Sequence, residues 1–252
     1  MPSEGPGVVS HICQAYPDRV EVRGRDLTGD LMGRLTFTDY FYLLLTGEEP
    51  SDDERYFLDL LLVAIAEHGM MPTNVAARMT LAADPGSLHG AVAAGILGCG
   101  PVILGTSEDC AVLLERAHGG TPVREIVGGI RAARGKMAGF GHPVHKPLDP
   151  RAERILELAD EKGVSGEFTA LAREFREAVH EAWGKPLTMN VAMPIAAVML
   201  DLGFSSSTVK AVPILARTAS ILGHLAEERE LPTGLALAWH AEEAVEYQPP
   251  PG

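Results

Sequence analysis

The sequence predicts an all-α fold, on three observations. Ala, Leu, Gly and Met are abundant and aromatic residues make up only 6%, which favours helix on helix over a β-sandwich. Apolar residues recur at helical spacing in segments bounded by capping and stop signals. Two-residue alternation is nowhere sustained, and only Arg19–Asp26 reads as a short strand or extended entry.

The helices follow in chain order. Ser51-Asp52-Asp53-Glu54 is a capping-box pattern, and Tyr56, Phe57, Leu60, Leu61, Ala64 and Ile65 form a wide apolar face behind it. Leu88–Gly105 is apolar enough to suggest a membrane span. Its five glycines, His89 and Pro101, and the lack of flanking basic anchors, predict a buried helix and a turn instead. Thr106–Ala117 is helical and stops at Gly119-Gly120. Thr121-Pro122 opens the next helix, with Gly135 past its end. Asp149-Pro150 repeats that start, and Gly163 closes the helix. Ser165–Trp183 carries Arg173, Glu174, Arg176 and Glu177 on a solvated face. Leu187–Leu202 is nearly all apolar and is expected to be buried. Ser207–Glu230 is a long helix, kinked or restarted at Pro213.

The 252 residues, 46% of them apolar, suffice for a good-sized core, or for a large domain with a smaller one attached. A net charge of −13 argues against a nucleic-acid binder or an anionic membrane surface, and leaves room for a small anionic ligand held by local cations. Cys13, Cys99 and Cys110 lack metal-ligand or redox spacing and predict reduced, structural thiols of a cytoplasmic protein. Met1–Ser10 has neither a basic cluster nor an apolar run, so no signal peptide is expected.

Three segments carry candidate chemistry. Gly139-Phe140-Gly141-His142-Pro143-Val144-His145-Lys146 leads to Asp149-Pro150-Arg151 at a helix start. Glycines let backbone N–H groups approach a ligand, a helix N-terminus favours an anion, and an Arg can fork onto a carboxylate. The alternative is a glycine turn with surface histidines. Glu67-His68-Gly69 precedes Asn74 and Arg78, and His68 alone fits a helix-end cap as well as a ligand contact. Arg217 stands on an otherwise apolar helix face and needs a partner, either a protein carboxylate or a substrate carboxylate.

Taken in chain order, the segments resemble the citrate synthase and citryl-CoA lyase superfamily. Glu67-His68-Gly69 with Ala76-Ala77-Arg78 is similar to its oxaloacetate-binding turn, more so in the lyase branch. Gly141-His142…Asp149-Pro150-Arg151 resembles its most diagnostic motif, and Ala216-Arg217-Thr218 resembles a helix supplying a carboxylate-binding Arg. The resemblance implies a large helical domain, residues 1–105 and 190–252, with an inserted smaller helical domain, residues 106–189. It gives His142 the ketone or alcohol oxygen, and His68, Arg151 and Arg217 the carboxylates. Gly139, Phe140, Gly141 and Lys146 would lie along coenzyme A. It further implies a CoA thioester and a 2-oxo acid or citrate-like carboxylate as ligands, no metal, and a homodimer or larger assembly, possibly paired with an active homologue.

Two catalytic positions depart from that pattern. Gly100-Pro101-Val102-Ile103 puts Ile103 where the family has His, and Asn190-Val191-Ala192 puts Ala192 where it has the proton-moving Asp. His145, then His89 and Glu108, are the replacement acid–base candidates. The expected function is a lyase or acyltransferase of the citrate synthase type. A silent ligand-binding homologue, or a decarboxylase or hydrolase acting on another CoA thioester, is the alternative.

Overall fold

A computed structural model describes residues 8–100 and 106–250. The chain divides within one helix into two compact units, the first ending at Asp59 and the second beginning at Leu60.

In the first unit, β1 (Cys13–Ala15), β2 (Val20–Val22) and β3 (Arg25–Asp26) form a small antiparallel sheet in that order, with Cys13 opposite Val22 and Val22 opposite Arg25. A π-helical turn, Leu27–Leu31, follows, its start capped by Asp26. α1 (Phe37–Thr46) opens on a full capping box between Thr36 and Asp39 and ends at Gly47 in the left-handed region. Val22, Leu31 and Leu43 form the core. The start of α2 (Asp52–Ala66) has the reciprocal bonds expected of Ser51 and Glu54, at 2.7 and 3.3 Å.

The second unit is built of helices. α3 (Pro72–Ala83) packs against α4 (Leu88–Leu97), α11 (Ala211–Glu230) and α12 (Gly234–Glu243). Ala77, Leu81, Ala91, Ile221 and Leu225 form its buried seam. Around α9 (Ala192–Asp201) pack α5 (Thr106–His118), α7 (Pro150–Glu161) and α8 (Glu167–Trp183), while α6 (Val123–Ala132) lies on α8. α9 is buried along Ala192–Leu200, which is why its sequence lacks a polar face. Its last residue, Asp201, caps α8 from outside, accepting from the N–H groups of Gly166, Phe168 and Thr169 at 2.9 Å.

The helical expectation holds, with three adjustments. α9 starts five residues later than the apolar run, because Thr188–Asn190 pairs with the Gly139–Gly141 loop instead. The break expected at Pro213 falls at Lys210, between α10 (Ser206–Val209) and α11. Pro213 then sits in the first turn of α11, where its missing N–H costs nothing. Of the Leu88–Gly105 segment, residues 88–97 are helical, whereas Pro101, Ile103 and Gly105 lie outside the described residues. Among the described residues no helix is long and apolar enough to cross a membrane.

Candidate functional site

Four segments of the second unit converge on one cleft of about 300 Å³, and His68, His142, Arg151, Asn190, Ala192 and Arg217 all line it.

The turn after α2 brings in His68. Glu67 folds back so that one oxygen accepts from the N–H groups of His68, at 2.8 Å, and Gly69. Gly69 has φ +73°, and its carbonyl accepts from Asn74 Nδ2 at 2.7 Å.

The glycine loop brings in His142. Gly141 N–H donates to the Thr188 carbonyl at 2.7 Å, and Asn190 returns with N–H to the Gly139 carbonyl at 2.8 Å and Nδ2 to the Gly141 carbonyl at 3.1 Å. Gly139 is obligatory. Its φ is +76°, and a Cβ there would meet Cys110 Sγ at 2.7 Å and Met193 Cβ at 2.9 Å. His142 Nδ1 accepts from the N–H groups of Val144 at 3.1 Å and His145 at 2.8 Å. The neutral ring therefore carries its proton on Nε2, as a donor.

Asp149 caps α7 and holds Arg151. The fully buried carboxylate accepts from Arg151 Nε at 3.0 Å and Nη2 at 2.8 Å. The guanidinium fork is thus engaged within the protein, and Nη2 also stands 3.4 Å from His142 Nε2. Burial would raise the Asp149 pKa, but the Arg151 hydrogen bonds and charge hold it below the ordinary value.

Arg217 is placed differently. It is 4% exposed, its Nη1 donates to the Ala66 carbonyl at 3.2 Å, and its buried Nε has no hydrogen-bond partner among the described residues. Among the described residues no carboxylate pairs with it. Burial lowers its pKa. Burial, then Arg151 and Arg217, lowers that of His68; burial, then His145, lowers that of His142. Two guanidiniums beside imidazoles that resist protonation leave the cleft electropositive.

Of the other sequence candidates, His145 and Gly141 lie with this group and the rest are dispersed. His145 stacks on His142 with ring centroids 4.3 Å apart and lies 6.0 Å from His68. Nitrogens of His68, His142 and His145 come within 4.8 Å of one another, close enough to turn toward a metal ion. Arg151 and Arg217 repel positive charge there. Gly141 lines the cleft, Gly139 is buried against Cys110 and Met193, Phe140 pairs with Met189, and Lys146 is exposed. His89 is exposed on α4, and Glu108 pairs with Lys210 at 2.8 Å. Ile103 lies outside the described residues. Arg78, read beside His68, is fully buried away from the cleft, bonded to Glu227, Glu228 and His224. Sequence reasoning missed Thr106 and Ser107, whose residues line the cleft at the start of α5; a helix-start signal was all they offered. Asn190 was quoted only as part of a motif, and its latch on the glycine loop had no local signal.

The family model described as "Citrate synthase, C-terminal domain" matches residues 10–234. The citrate synthase of Synechocystis is 30% identical over 201 residues, covering 77% of this chain and 50% of that protein. The chain spans about half the length of the curated relatives it matches. A citryl-CoA lyase structure from Hydrogenobacter thermophilus superposes with a TM-score of 0.87 at 30% identity, covering 97% of this chain and 96% of that one. An ATP citrate lyase structure from Methanothrix soehngenii shares the fold, with a TM-score of 0.84 at 22% identity over 99% of this chain and 43% of that one. With a motif set, a cleft and a family match that coincide over most of its length, this chain belongs to the citrate synthase family.

Proposed function

We propose that the chain is an enzyme that makes or breaks a C–C bond between a CoA thioester and a 2-oxo acid, in the manner of a citryl-CoA lyase. The observation that carries this reading is Arg217, a buried guanidinium that pairs with no carboxylate among the described residues, in the same cleft as Arg151 and His142. Leaving such a charge unpaired is costly, and a ligand carboxylate relieves the cost. The similarity to a citryl-CoA lyase over nearly the whole of both chains supports the choice of branch.

In the cleavage direction the substrate hydroxyl gives its proton to a base, for which His145 is the candidate beside His142, and its oxygen becomes a ketone. The C–C electron pair passes to the thioester α-carbon as an enolate, which then takes up a proton. His142 Nε2–H is the donor that stabilises charge on that oxygen. Arg217, Arg151 and His68 hold the carboxylates. Gly141 and Lys146 mark the path of coenzyme A. The division into residues 1–105 with 190–252 and an inserted 106–189, a homodimer or larger assembly, and a cytoplasmic setting belong to the same reading.

One observation favours a second reading, a ligand-binding chain without turnover, alone or beside an active homologue. Ala192 lines the cleft with a methyl group where the family has its proton-moving carboxylate. Thermal-shift titration with oxaloacetate, citrate, CoA and acetyl-CoA tests both. Either reading requires stabilisation by a carboxylate, about 2.7 kcal/mol at a hundred times Kd. No shift with any of the four removes them together.

A further inference from the structure

The cleft explains Arg217, Arg151 and His142 but leaves open what aims His68. Apart from ring contacts with His142 at 5.3 Å and His145 at 6.0 Å, its imidazole bonds only to its own backbone and to no other side chain among the described residues. Its position therefore follows from its backbone, and the backbone is held by Glu67.

We infer that Glu67 is a positioning residue, anchored to α11 through Ser220 and His224 and fixing the His68–Gly69 backbone so that His68 meets the carboxylate held by Arg217. The inference rests on the proposed carboxylate site. Its structural basis is a continuous chain of donors and acceptors. Arg78 donates to His224 Nδ1 from Nε at 3.0 Å and Nη2 at 2.8 Å. A guanidinium can only donate, so Nδ1 must be the bare nitrogen and Nε2 carries the proton. Nε2 then donates to Glu67 Oε2 at 3.1 Å, joined there by the Ser220 hydroxyl. The other Glu67 oxygen takes the N–H groups of His68 and Gly69. Burial would raise the pKa of this half-exposed carboxyl, yet the hydrogen bonds from Ser220, His224 and Gly69 bring it down to about 2. Glu67 is thus ionised whenever the site can work. Arg217, Ser220 and His224 lie three to four residues apart on α11, so one helix face carries both the anion-binding Arg and the anchors of the His68 turn.

Glu67→Gln keeps one oxygen for the two backbone N–H groups but turns an amide N–H₂ toward His224 Nε2–H. His224 cannot change tautomer in response, because Arg78 needs Nδ1. Charge and position then act in opposite directions. Removing a carboxylate that offsets Arg217 would by itself tighten binding of an anion. Loss of aim weakens it.

The test is calorimetric titration of the full chain with citrate and with oxaloacetate. Binding should weaken roughly tenfold to hundredfold in Glu67→Gln and less in Ser220→Ala, which keeps the charge and loses one anchor. In a His68→Ala background, Glu67→Gln should weaken binding no further. Equal or tighter binding by Glu67→Gln, or weakening that persists without His68, overturns the inference. Imidazole ¹⁵N spectra give a readout that needs no ligand: His224 should show the Nε2–H tautomer, and the His68 signals should move in Ser220→Ala and Glu67→Gln. Unmoved His68 signals overturn the positioning role, whereas a wild type that binds neither acid with those signals moved overturns the carboxylate site alone.

Discussion

Replacing Arg217 by methionine should cost the empty protein no more than about 1 kcal/mol of stability while removing most of its carboxylate affinity. The side chain is 4% exposed, donates once to the Ala66 carbonyl at 3.2 Å, and has an unpartnered Nε. Methionine fills similar space. The variant loses one charge-assisted hydrogen bond, about 1.5–3 kcal/mol. It also escapes the desolvation of a buried charge, which amounts to several kcal/mol. Stability should therefore lie within about 1 kcal/mol of wild type or above it. Binding moves the other way. A carboxylate about 4 Å from a guanidinium gains about 4 kcal/mol at an effective dielectric of 20. Removing one partner of a shielded charge pair costs about 2–5 kcal/mol, or roughly 30- to 4,000-fold in Kd. Urea denaturation measures the first quantity and calorimetric citrate titration the second. A variant that is clearly less stable yet binds citrate as tightly as wild type would refute the reasoning.

Arg151→Ala should behave in the opposite way toward stability, losing about 3–5 kcal/mol in urea denaturation, because the fully buried Asp149 loses its counter-charge. Gly139→Ala should cost about 1–3 kcal/mol for the clash with Cys110 and Met193, beyond the roughly 1–2 kcal/mol of left-handed strain; Gly141→Ala, with φ +90° and open space around it, should cost the strain alone in the same assay. For pH, His68 and His142 have depressed pKa values, so the unfolded chain takes up protons that the folded one resists. Stability should be full above about pH 6.5 and fall as pH drops from there through the depressed values. Denaturation midpoints at a series of pH values check this, and a midpoint that rises on acidification through that window contradicts the sign.

Local signals were the legible part of the fold. The Ser51–Glu54 box, the Asp149-Pro150 start and the Gly163 stop each depend on residues within one turn, and each stands as read. Leu187–Val191 was harder, because an apolar run does not say whether its backbone continues a helix or pairs with Phe140 and Gly141. β1 escaped notice because all three of its residues are exposed and impose no alternation. The site was legible where a motif was dense, at Gly139–Arg151, and illegible where partners are distant in the chain. Arg78 bonds Glu228, 150 positions away, and that pairing takes it out of the cleft. For Arg217 the sequence posed the question of a partner; Glu67 acts on it only through space, and the lack of an ion pair among the described residues is what motivates the proposal of a ligand.

The central claim, C–C bond chemistry on a citryl-CoA-type thioester, is tested most directly by mixing the purified chain with citryl-CoA and following oxaloacetate release in a single turnover. The account predicts release that citrate inhibits competitively and that Arg217→Met abolishes. It also predicts that acetyl-CoA with oxaloacetate gives far less than an ordinary turnover of about 10 s⁻¹, because Ala192 supplies no carboxylate to remove the α-proton. Tight citryl-CoA binding without any oxaloacetate release would contradict the enzymatic claim and leave the ligand-binding reading in its place.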